Sequence, residues 1–246
     1  MEFSKAKSVA CSIAAAVSML GFTSSASAAS APQPAVSAPE ATAGRDMLTE
    51  QYSQLGLSED QLATVIQAWE ADGRLDAMDP DASPVRSEER TLATTGSLGV
   101  AGSPTHVDWF ADGSIRTQTI EKPREVVPGE GSTMEVHGCT MSSSSGVRTF
   151  TNCSVVNMWG TVQIGYLASF EIVSGQSDRI SWAGNGWQRC AGVTCAAPAV
   201  SIFRAKEFNG APAVVRGTSD VSAAWGSWQV WTELQVGNDS YWQASS

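Results

Sequence analysis

The stretch TVQIGYLASFEIV, Thr161–Val173, alternates apolar and polar residues with a period of two. Val162, Ile164, Tyr166, Phe170 and Ile172 fall on one side of it. That is the pattern of a strand with one buried face, not of a helix. WQVWTELQV repeats it through Trp228, Val230, Leu234 and Val236. Weaker strands are expected near 132–139, 147–157, 178–183, 199–206 and 212–216, with no helical periodicity among them. About seven short strands in roughly 115 residues predict a mainly β fold, an antiparallel, immunoglobulin-like β-sandwich over 130–244. An open barrel is the alternative.

The start of the chain sets the compartment. Lys5 and Lys7 precede an apolar, uncharged run from Val9 to Phe22, and Ala26-Ser27-Ala28 follows it. This order predicts a secretory signal peptide over 1–28, cleaved after Ala28. The apolar run is shorter than the roughly 20 residues a spanning helix needs. A secreted, extracellular protein is expected, with no membrane contact after cleavage. Cys11 leaves with the leader, and Cys139, Cys153, Cys190 and Cys195 remain. An even number in an oxidising compartment implies disulfides. Three pairings exist, and proximity favours Cys139–Cys153 with Cys190–Cys195. Neither pair has the Cys-x-x-Cys spacing of a redox motif.

Between leader and sandwich the chain changes character twice. Residues 29–44 are rich in Ala, Pro and Ser and predict a linker. Residues 45–75 hold two helical patterns: Leu48, Tyr52 and Leu55, then Leu62, Val65, Ile66 and Trp69. Helices are expected at about 46–55 and 59–71, the second opened by a Ser58/Gln61 capping box and ended by Gly73. A loop or linker over 76–104 leads to a β-hairpin over 105–122, turning at Asp112-Gly113. Residues 29–129 are also conceivable as a removable acidic pro-segment. The whole chain carries a net charge of −10. That balance repels phosphate backbones and excludes nucleic acid as an expected partner.

Few residues have the makings of chemistry. The chain has two histidines, His106 and His137, and no Gly-x-Ser-x-Gly, His-Glu-x-x-His, Walker or Rossmann pattern. A secreted hydrolase with a non-local Ser/His/Asp site remains an alternative reading. Glu135, His137 and Cys139 share one strand face, but a disulfide-bonded Cys139 is a poor zinc ligand. Glu70, Asp72, Gly73, Leu75 and Asp79 resemble part of a calcium loop, but its first ligand position is Ala68 and its last is Asp rather than Glu. No metal and no cofactor is expected.

Tryptophan is the remaining signal, with nine residues. Alternation assigns Trp228 to the core, and Trp225 and Trp231 to the opposite face. Gly184-Asn185-Gly186 is expected to be a turn that projects Trp182 and Trp187 from its two sides, held by the Cys190–Cys195 staple. Trp182, Trp187, Trp225 and Trp231 are the candidate binding residues. Such rings stack on sugars and anchor interfaces. A non-catalytic secreted module is therefore expected, its partner a cell-wall glycan, a small ligand or a protein surface. A secreted inhibitor or antibacterial protein is the third reading.

The segments FADGSIRTQTIEKP, GCTMSSSSGVRTFTNCSV, GYLASFEI, DRISWAGNGWQ and IFRAKE resemble a group of secreted bacterial β-rich proteins with two disulfides. The resemblance covers about half of the chain and brings no activity with it. The Cys-x4-Cys spacing also resembles that of the neocarzinostatin-type apoproteins, and implies a similar stapled β architecture.

Overall fold

The computed structural model describes residues 38–126 and 138–246. The expected leader, most of the linker, and Glu135 and His137 lie outside the described residues.

Helix α1 spans Ala38–Gln54 and so begins inside the expected linker. Helix α2 spans Glu59–Asp72. The capping box forms as expected: Ser58 Oγ accepts from the Gln61 backbone, and the Gln61 side chain accepts from the Ser58 backbone. The two helices lay Leu48, Tyr52, Leu55, Val65 and Trp69 into one core cluster with Val107, Trp109, Ile115 and Met158. Each such side chain contributes on the order of 1.5–3 kcal/mol when fully buried. The helices therefore take their stability from the sheet beneath them. Tyr52 also donates to the Gly113 carbonyl at 2.6 Å. Trp69 fills the space between Gly44 and Gly192, where a β-carbon at either glycine would fall 2.3 Å from the ring.

The rest is mainly β. The larger sheet holds β1 (Arg86–Thr91), β2 (Pro104–Trp109), β3 (Ile115–Ile120), β4 (Arg124–Glu125), β5 (Thr140–Ser144), β6 (Val147–Trp159), β7 (Val162–Val173) and β8 (Arg179–Cys190). The smaller holds β9 (Thr194–Cys195), β10 (Ala199–Arg204), β11 (Ala213–Ala223), β12 (Gly226–Gly237) and β13 (Ser240–Ser245). Pairing is antiparallel except between β4 and β5. Strand β6 is shared: its first half pairs with β5, its second half with β3, and its whole length with β7. The expected hairpin, β2–β3, is thus hydrogen-bonded into the larger sheet through β3.

The sheets pack face to face through Phe150, Tyr166, Phe170, Ile172, Val215, Leu234 and Val236. Tyr166 ties them directly, donating to the Val215 carbonyl at 3.2 Å and accepting from the Leu234 N–H at 2.9 Å. Along one side the stack is joined, because the Ile180 N–H donates to the Ala205 carbonyl. Both expected disulfides form, Cys139–Cys153 and Cys190–Cys195. The second runs from β8 in one sheet to β9 in the other, since β9 pairs with β11. On the opposite side, β1–β3 and the edge strand β13 face each other across a groove. No helix among the described residues is long and apolar enough to cross a membrane.

Three expectations are corrected. Residues 76–104 are not all loop, because β1 lies within them. Its sequence RSEERT has no apolar alternation, and charged residues suit an edge strand because they discourage pairing with another chain. Gly184-Asn185-Gly186 is not a turn between strands but lies inside β8. Trp225 does not oppose Trp228; the two rings stack, 4.4 Å apart.

Candidate functional site

The site begins with a register change. Five positions separate Trp182 from Trp187, and in a regular strand they would face opposite ways. Strand β8 instead carries an irregularity opposite Gly165–Leu167, where Asn185 adopts a φ of 52°. A bulge places two residues against one and restores parity. Trp187 now pairs with Gly165 and Trp182 with Ser169. Both partners sit on the face of β7 opposite the inter-sheet core. The two tryptophans therefore share one outer face, about 13 Å apart at roughly 3.3 Å per residue along β7.

Small residues make room for the rings. A β-carbon at Gly165 would lie 2.5 Å from Trp187, and one at Gly184 would lie 3.0 Å from Trp182. Trp182 is 40% exposed, and Trp187 is half-buried.

The helical layer covers only the beginning of this face. Gln163 donates to the Ser97 carbonyl at 2.9 Å, and its neighbour Arg189 is ion-paired with Glu50 of α1. The cover stops at Trp187. There the 95–100 segment, Glu121, Ser154 and Trp187 line a shallow, open groove of about 370 Å³. Leu98 and Ser97 N–H donate to Gln54 and Glu50 of α1, so α1 positions this wall. Glu121 is only 8% exposed, and its Oε2 accepts from the Ser154 N–H at 3.2 Å. A carboxylate and hydroxyls beside an indole face make a mixed lining that suits a polar ring.

The other two candidates lie elsewhere. Trp231 is on β12, paired with Thr218, and the Arg216 guanidinium sits 4.5 Å from its ring. Arg216 also stands 5.3 Å from Phe203 and is ion-paired with Glu233. Trp225 is stacked between Trp228 and Arg74, which lies 4.7 Å away. The four tryptophans therefore do not make one surface. Trp182 and Trp187 come together; Trp225 and Trp231 are each engaged by an arginine.

His106 lies on β2. Its Nδ1 is 2.7 Å from Glu89 and its Nε2 is 3.2 Å from Asp108. Burial pushes its pKa down, but the Glu89 hydrogen bond and the Asp108 and Glu89 charges outweigh this and raise it. Ser87 donates to Asp108 at 2.5 Å rather than to the imidazole. With a carboxylate at each ring nitrogen, His106 presents neither to a serine. In the region resembling a calcium loop, Glu70 and Asp79 are engaged by Arg45 and Arg74. Among the described residues no three His, Cys, Asp or Glu gather as metal ligands.

Sequence reasoning missed Glu121, Ser154 and the 95–100 segment. Their only signal was residue type, and non-local pairing brings them together. Comparison of the sequence with protein-family models and curated proteins, and of the fold with solved structures, finds no match.

Proposed function

We propose that the protein is an exported, non-catalytic β module that binds an extended glycan across the outer face of its larger sheet. The observation that carries this is the bulge at Asn185, which turns Trp182 and Trp187 onto one face above glycines. Export rests on the Lys5/Lys7–apolar–Ala26-Ser27-Ala28 leader, and the two disulfides agree with an oxidising compartment.

Each indole offers a large, rigid apolar face against which a sugar ring can lie. Two platforms about 13 Å apart favour a ligand longer than a single ring. The groove beside Trp187 supplies hydrogen-bond partners for the hydroxyls at one end. The test is retention on insoluble peptidoglycan, chitin and cellulose, followed by elution with soluble fragments. Retention on at least one, lost tenfold or more in a Trp182→Ala/Trp187→Ala variant, is the expected result. Equal retention of the variant, or none on any material, would overturn the proposal.

A further inference from the structure

We propose that the groove between β2–β3 and the edge strand β13 is a second ligand site, for a neutral hydroxyl-bearing ring of one or two sugar units. It stands on residues separate from the Trp182–Trp187 face. The groove is open to solvent and has a volume of about 430 Å³, within the roughly 300–1,000 Å³ of small-ligand pockets.

Charge selects against ions. Glu89 and Asp108 flank His106. Both carboxylates are held against the His106 ring nitrogens, so neither is free to turn wholly to an organic cation. An anion would meet the Glu89 carboxylate, which stands exposed at the wall.

The floor selects against an apolar ligand. Gln243 donates through Nε2 to the Val156 carbonyl at 3.0 Å and to Thr232 at 2.8 Å. Gln243 and Gln118 line the groove, so a ligand hydroxyl meets amide partners there that a hydrocarbon cannot use. Gln118 adds a second amide to the wall, and Trp242, 38% exposed, adds a ring on which a sugar stacks.

The experiment uses the full mature chain. His106 and Trp242 resonances, assigned with His106→Gln and Trp242→Phe, are followed against glucose, galactose, N-acetylglucosamine and cellobiose. Agmatine and acetate serve as cation and anion probes. Saturable shifts at both residues with at least one sugar are expected, weakened tenfold or more in Trp242→Ala and in Gln118→Ala. The Trp182→Ala/Trp187→Ala variant should keep them, which separates this site from the glycan face. No shift with any sugar, shifts only with agmatine or acetate, or sugar binding unchanged in both groove variants would overturn the proposal.

Discussion

Asn185 holds a left-handed backbone in the middle of a strand, and the orientation of two tryptophans depends on it. Left-handed geometry costs an ordinary L-residue roughly 1–2 kcal/mol, more for a β-branched one, and little for glycine. Asn185→Gly should leave stability within a few tenths of a kcal/mol, while Asn185→Val should lower it by about 2 kcal/mol or more, read by urea denaturation. Gly165→Ala would place a methyl 2.5 Å from Trp187. Overpacking of this kind costs about 1–3 kcal/mol, and glycan retention should fall with it because the ring must move. Trp69, closed in by Gly44 and Gly192, is a packing residue; Trp69→Ala should cost about 3–5 kcal/mol without altering the glycan face directly. The tryptophans were legible in the sequence as residue type and not as direction. Alternation counts positions, and one bulge shifts the count for every residue beyond it.

At the scale of elements, the Cys190–Cys195 bridge joins the end of β8 to β9, and its loop carries Gly192 against Trp69 of α2. Replacing both cysteines by serine should cost about 2 kcal/mol in the chain-entropy view of a short loop. The effect should not be uniform. Hydrogen exchange in α2 should speed up more than in β7, because α2 leans on the loop and β7 is paired on both sides. Equal protection losses in the two would contradict this. The elements the sequence revealed were those with strong local signals: the Ser58 cap, the Asp112-Gly113 turn, and the alternation of β7 and β12. Strand β1 was hidden because its six residues owe their extension to pairing with β2, and their own pattern is charged. Strand β8 ran longer than expected because glycine and asparagine serve bulges as readily as turns.

For the molecule as a whole, two ionisable contacts give stability a pH profile. Burial pushes the Glu50 pKa up, but hydrogen bonds from Arg189 and Ser97 outweigh it and the net direction is down. Its contribution is present above the usual carboxylate pKa and is lost as pH falls through the lowered value. The net direction for His106 is up. Its contribution is present below about pH 6.5 and is lost as pH rises through the raised value. Both groups are partly exposed, so both effects are modest. Glu50→Gln should flatten the acid side of a melting-temperature profile, and His106→Gln the side above pH 6.5. The stacked sheets and their two staples were foreseeable from alternation and cysteine spacing. The way the helical layer stops at Trp187 was not, because it depends on contacts such as Glu50–Arg189 across the fold.

The central claim is that Trp182 and Trp187 form one glycan-binding face. Its most direct test follows the nine indole N–H resonances of the protein during titration with a soluble oligosaccharide from a polymer that retains it. The Trp182 and Trp187 signals should move together along one saturation curve, with Trp225 and Trp231 unmoved. Shifts confined to other tryptophans, or separate curves for Trp182 and Trp187, would contradict it.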